Sequence, residues 1–172
     1  MPVKANQALE LLAAFAEAGI TVWVDGGWGV DALISRQSRE HADLDLVLPR
    51  NDVGPTTKLL EVAGFAVTRD WLPTAIAFAH NDGREVDLHP VDPTPDGGGD
   101  QLLPDGTRWH YEPPVPGTIA GRAVLCVSLA TQLASHAGYE PDAGDIADMR
   151  LLASTFGFEL PPPYDVLCAS RR

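Results

Sequence analysis

Asp43-Leu44-Asp45 sets two carboxylates at positions i and i+2. In a strand that spacing points both to one face and turns Leu44 and Leu46 to the other. Glu85-Val86-Asp87-Leu88-His89-Pro90 repeats the pattern, with Glu85, Asp87 and His89 on one face and Val86 and Leu88 toward the core. If the two strands meet, Asp87 joins the first pair. Three carboxylates converging in a partly buried site repel one another unless cations neutralise them. Magnesium suits oxygen ligands and substrate phosphates. Paired metal ions about 3.5–4 Å apart, one at the attacking oxygen and one at the leaving group, perform phosphoryl or nucleotidyl transfer. An isolated Asp-x-Asp is more often the solvated face of an edge strand. Here it follows a Gly-Gly turn by about 17 residues and precedes another Asp-bearing strand, and the three elements together favour chemistry.

The elements that must position these groups are legible in outline. Thr21 to Val24 reads as a short strand, Asp25-Gly26-Gly27-Trp28-Gly29 as a glycine turn, and Val30 to Ser35 as a helix. Gly26 and Gly27 permit close backbone approach, and the helix N-terminus behind them offers free N–H groups to a triphosphate. Arg39 and His41 are candidate extra phosphate contacts. Gly27-Trp28-Gly29-Val30-Asp31-Ala32 also fits a dinucleotide fingerprint, G-x-G-x-x-G/A. Against that reading stand the bulk of Trp28 and a strand-rich middle where repeated βαβ units are required. No Walker loop and no G-x-S-x-G elbow occurs, which leaves direct in-line transfer.

Ala5 to Gly19 has the apolar spacing of an amphipathic helix. Leu44 to Leu48 is expected as a strand, Asp52 to Ala63 as a helix stopped by Gly64, and Phe65 to Thr68 as a strand. Ala75 to His80 and Arg84 to Pro90 are strands joined by Asn81-Asp82-Gly83. From Pro90 to Gly117 the density of Pro, Gly and Asp suggests a long loop rimming the site. Ala123 to Val127 reads as a strand, and helices are expected from Ser128 and over Asp142 to Thr155. The fold class is therefore α/β (α+β), a mixed β-sheet flanked by helices with a C-terminal helical portion. One domain over residues 1–172 is expected, about 1–127 forming the sheet-containing core and about 128–172 the closing helices.

Composition narrows the class further. A 45% hydrophobic and 21% charged chain is an ordinary globular protein. The net charge of −12 argues against a nucleic-acid partner, whose phosphates need Lys and Arg. No leader pattern and no apolar run long enough to span a membrane is present, so the default location is cytoplasmic. Cys126 and Cys168 have no metal spacing and are too few for a disulfide framework.

The segments Val24 to Asp31, Arg39-Glu40-His41, Asp43-Leu44-Asp45-Leu46 and Asp70-Trp71-Leu72-Pro73 resemble the signature of antibiotic nucleotidyltransferases. The likeness continues through Val86-Asp87-Leu88-His89-Pro90, Gly121-Arg122, Gln132, His136-Ala137-Gly138-Tyr139, Asp145 and Asp148. Within that superfamily the chain is most similar to small lincosamide nucleotidyltransferases and, next, to aminoglycoside 2''-nucleotidyltransferases. The resemblance implies a nucleotidyltransferase fold and a magnesium-dependent transfer of AMP from ATP to an antibiotic hydroxyl, releasing pyrophosphate. It implies Asp43, Asp45 and Asp87 as metal ligands, with Asp87 accepting the hydroxyl proton. Gly26, Gly27, Trp28, Arg39 and His41 would bind the nucleotide, and Trp71, His89, Trp109, His136 and Tyr139 the acceptor. For the last five, ordinary packing is the competing expectation. Gly97 to Asp105 and the Asp145-to-Asp148 segment depart from the pattern, which bears on acceptor identity: a lincosamide first, an aminoglycoside second. A protein-modifying toxin or antidote nucleotidyltransferase is the third alternative, and a homodimer is compatible with all of these.

Overall fold

In a computed structural model of the chain, residues 2–169 are described. The first helix, α1 (Ala5–Glu17), buries Ala8, Leu11 and Phe15. A two-residue strand, β1 (Trp23–Val24), leads into α2 (Gly26–Leu33). Then come β2 (Asp43–Pro49), a single 3-10 turn, α3 (Val53–Val62), β3 (Phe65–Trp71), β4 (Ala75–His80) and β5 (Glu85–Pro93). Four further strands follow: β6 (Gly99–Leu102), β7 (Arg108–Tyr111), β8 (Val115–Ile119) and β9 (Arg122–Cys126). Helices α4 (Leu129–Ser135), α5 (Ala143–Phe156) and α6 (Tyr164–Ala169) close the chain.

The main path of the mixed sheet runs β3-β4-β5-β2-β1-β9-β8, with β6 paired to β5 and β7 to β6. β2 and β5 are parallel, with Asp43 opposite Glu85 and Asp45 opposite Asp87. β1 and β2 are antiparallel, and two antiparallel strands intervene between β2 and β5. The glycine fingerprint therefore does not sit in a βαβ unit, and the dinucleotide-binding reading fails on topology.

The period-two alternation of β2 and β5 sorts residues between the two faces. Leu44, Leu46, Val86 and Leu88 join α1, α2 and α3 in the main core with Phe15, Leu60 and Phe78. Val47 and Val91 lie on the opposite face, where Trp23, Tyr111 and Val127 bury with them and Trp109 packs alongside. A third cluster, Val30 with Ile146, Met149, Leu152 and Tyr164, fastens the closing helices to α2.

Two expectations need correction. The 90–117 stretch is not one long loop but contains β6, β7 and most of β8. Some of its glycines serve close packing: a Cβ at Gly99 would stand 2.6 Å from Val91 Cγ2, so this strand can lie against β5 only without a side chain there. The glycine turn is likewise not a turn before a helix, because α2 starts at Gly26 itself and ends at Leu33. The Asp25 carboxylate caps it, accepting from the Gly26 N–H at 2.8 Å, which supplies the start signal that the glycines obscure.

Candidate active site

A row of side chains crosses the sheet on the face opposite the main core. Register alone defines it: Arg69 faces Ala77, Ala77 faces Asp87, Asp87 faces Asp45, and the Asp25 N–H donates to the Asp45 carbonyl at 2.9 Å. Asp43 and Glu85 form the next rung. The alternation that put Asp43, Asp45 and Asp87 on one face in the sequence thus brings them together through the parallel β2–β5 pair.

Crowding has the electrostatic result expected of like charges in a partly buried place. Burial, then the charges of Asp45 and Asp87, push the Asp43 carboxyl up to about 6. Asp87 is also raised, first by burial and then by Asp45, against the lowering influence of Arg69. Asp25 is raised mainly by burial, with His89 opposing. For His89, burial works against the charged imidazolium, but the hydrogen bond and charge of Asp45, with Asp25 and Asp87 behind, leave it raised. The His89 Nε2 to Asp45 Oδ1 separation is 3.4 Å.

Asp45 lies directly against the start of α2. A Cβ added at Gly26, whose φ is +56°, would stand 2.1 Å from Asp45 Oδ2. A Cβ at Gly27 would stand 2.3 Å from His41 Nδ1 and 2.7 Å from an Arg39 guanidinium nitrogen. Arg39, His41 and the free N–H groups of the α2 N-terminus therefore share one corner, beside the carboxylates. Arg39 is held there by two bonds to the buried Asp148, Nε to Oδ1 at 3.2 Å and Nη2 to Oδ2 at 2.7 Å. His41 is almost wholly buried, its Nε2 2.5 Å from Asp31 Oδ2, and its Nδ1 has no protein partner.

Several side chains expected at the site are placed otherwise. Trp28 is buried in the main core against the His41 ring, so only its backbone faces the α2 N-terminus. His136 is buried beneath Tyr164, and its Nδ1 lies 2.7 Å from the Gln132 carbonyl. Trp109 packs on the Trp23 cluster. Trp71 is exposed at the end of β3, beneath the Arg69 guanidinium, and Tyr139 is also exposed. His89 stands in the carboxylate site itself, braced by Gln101, whose amide nitrogen is 3.4 Å from Nδ1.

Sequence reasoning singled out Gln132 without assigning it a role and passed over Tyr111, and both hold the corner together. Gln132, fully buried, reaches from α4 to Asp25 Oδ1 at 3.4 Å and to the Gly26 carbonyl at 3.3 Å. Tyr111 lies against the Asp25 carboxylate from β7. No local signal marks such partners, since they meet only across the fold. A groove of about 900 Å³ lies between α1 and β9, lined by Leu9, Leu12, Ile20, Val22, Val124 and Leu125, and none of these acidic groups lines it.

No group of three or more His, Cys, Asp or Glu side chains among the described residues is drawn tightly enough to cage a metal ion unaided. The donor set nevertheless fits magnesium. Its oxygens are hard, Asp87 Oδ1 is buried without a hydrogen-bond partner, and the mutual repulsion awaits a cation. Magnesium is commonly held by one or two carboxylates with substrate phosphates and waters completing the shell.

Comparison with known proteins shows the family and the fold. Residues 7–152 match the family described as Aminoglycoside-2''-adenylyltransferase. A lincosamide resistance protein of Staphylococcus haemolyticus is 29% identical over 154 residues, 88% of this chain and 96% of that protein. A 2''-aminoglycoside nucleotidyltransferase of Klebsiella pneumoniae is 30% identical over 121 residues, 69% of this chain and 64% of that one. Among solved structures, the lincomycin-bound lincosamide antibiotic adenylyltransferase LnuA superposes with a TM-score of 0.82 at 29% identity, covering 90% of this chain and 99% of LnuA. The fold is also that of the 2''-aminoglycoside enzyme ANT(2")-Ia in complex with adenylyl-2"-tobramycin, with a TM-score of 0.69, 24% identity, and coverage of 96% and 95%.

Proposed function

The chain belongs to the aminoglycoside-2''-adenylyltransferase family, and we propose that it transfers AMP from ATP to a hydroxyl of a lincosamide, releasing pyrophosphate and inactivating the drug. Coverage carries the choice of acceptor: the similarity extends over 96% of the lincosamide relative but 64% of the aminoglycoside relative. The enzyme acts as a single unit, in the cytoplasm. Among the described residues no helix is long and apolar enough to cross a membrane.

Asp43, Asp45 and Asp87 would hold magnesium. Bound there, the metal would neutralise the phosphates and stabilise the charge that develops on transfer. The protein's own groups do the rest. The N–H groups at the start of α2, with Arg39 beside them, cradle the triphosphate. Asp87, at the centre of the carboxylate row, accepts the proton of the attacking hydroxyl. His89 and Gln101 orient Asp45 from behind. Base catalysis typically contributes about 10²–10⁴-fold and alignment more, so loss of one carboxylate should nearly abolish turnover.

The test is pyrophosphate release from ATP and magnesium with lincomycin, clindamycin, an aminoglycoside panel or no acceptor, with Asp87→Asn as control. Release with lincosamides alone, lost in the variant, is the expected result. Release with aminoglycosides alone would reassign the acceptor, and no release with any drug would sink the proposal.

A further inference from the structure

β3 lies at the edge of the sheet, and it is irregular at one point. Val67 pairs with Phe78, yet Arg69 pairs with Ala77, so Thr68 is an extra residue, its hydroxyl donating to the Ala77 carbonyl at 3.2 Å. Had pairing continued in step, Arg69 would oppose Ile76 and share the main-core face. The bulge shifts parity, and Arg69 and Trp71 come to the carboxylate face instead. Ala77, between Arg69 and Asp87, is short enough for the guanidinium to pass over it. Arg69 Nη2 ends 3.5 Å from Asp87 Oδ2, and the guanidinium carbon lies 5.3 Å from the centre of the Trp71 ring. Both side chains remain substantially exposed.

The row therefore has polarity. At one end Asp25 and Asp45 abut the phosphate corner at α2, and at the other a fixed cation stands beside the base. In-line transfer requires nucleophile and leaving group on opposite sides of phosphorus. With the triphosphate at α2, the acceptor hydroxyl enters at Asp87, next to Arg69. We propose that Arg69, re-aimed by the bulge at Thr68 and backed by Trp71, selects the acceptor class by repelling ammonium groups beside the attacked hydroxyl. This deepens the acceptor assignment above and rests on it. A lincosamide carries one basic amine, away from its sugar hydroxyls, whereas aminoglycoside rings carry ammonium groups next to theirs. Such exclusion is selectivity by disfavouring the wrong partner.

Two like unit charges about 6 Å apart at a half-solvated site are worth about tenfold in affinity. The test is calorimetric binding of lincomycin and of tobramycin to the nucleotide-free protein, at low and moderate salt, for wild type, Arg69→Gln, Arg69→Lys and the remote control Arg122→Gln. Arg69→Gln should tighten tobramycin about tenfold at low salt and leave lincomycin within about twofold. Arg69→Lys, which keeps the charge, should behave as wild type, and Arg122→Gln should change neither ligand. Equal shifts for both drugs in Arg69→Gln, or the same tightening in Arg122→Gln, would overturn the proposal. Failure of the acceptor assignment reads out separately, as wild-type protein that does not adenylylate lincomycin, while the tobramycin comparison still decides the part played by Arg69.

Discussion

Asp43→Asn should make the metal-free protein more stable at neutral pH while destroying its activity. Asp43 is held at about 6 in the folded chain, against an ordinary value of 3.8. The folded protein therefore binds that proton more tightly than the unfolded one, and stability falls as pH rises from about 4 through 6. At pH 7.5 the whole penalty is present. A difference of about two pH units corresponds to an upper limit of roughly 3 kcal/mol. Asp43 is only partly buried, and solvent screening reduces the figure to about 1 kcal/mol. The amide has nearly the shape of the protonated acid but cannot ionise, so it avoids the penalty. Urea unfolding in EDTA at pH 7.5 should show Asp43→Asn ahead by about 1 kcal/mol, with little of that margin left at pH 4, where wild-type Asp43 is itself protonated. Equal stability at pH 7.5, or a margin undiminished at pH 4, would refute the claim that burial of the Asp43 charge, with repulsion from Asp45 and Asp87, opposes folding.

Other perturbations address the phosphate corner. Gly26→Ala forces a methyl group to within 2.1 Å of Asp45 Oδ2 at a backbone φ of +56°; pyrophosphate release should fall by at least about 100-fold, with a stability loss of about 1–3 kcal/mol from the strained backbone. Asp148→Asn removes the charge that fixes Arg39. It should raise the KM for ATP more than it lowers kcat, and cost about 1–2 kcal/mol in thermal unfolding, because Arg39 is too exposed for the full effect of breaking a buried pair.

The sequence made the carboxylate site legible because period-two alternation is local: Asp43-Leu44-Asp45 and Val86-Asp87-Leu88 declare their faces without knowing what they pair with. Asn81-Asp82-Gly83 marked its hairpin equally plainly, and β4 has the bounds expected of it, Ala75 to His80. Less was visible where a residue's purpose lies far along the chain. Asp148 reads as an acid near a helix start, but it serves Arg39, 109 residues away. His136 and Tyr139, three apart, look like neighbours on one helix face, yet α4 ends at Ser135 and one is buried while the other is exposed. The bulge at Thr68 has no signal of its own, and the Gly-rich run after Pro90 imitates a loop because close-packed short strands and loops both call for small residues.

The two ties that fix the phosphate corner, Gln132 to Asp25 and Asp148 to Arg39, both come from the last quarter of the chain and span 107 and 109 residues. A ribosome releases the sheet before it releases these braces. The nascent chain can pair its strands early, but α2, the helix proposed to receive the triphosphate, is not secured until α4 and α5 emerge and dock. Bracing of α2 thus follows formation of the sheet, and a chain cut short after β9 would keep its acidic face while lacking the two ties that hold α2 and Arg39 beside it.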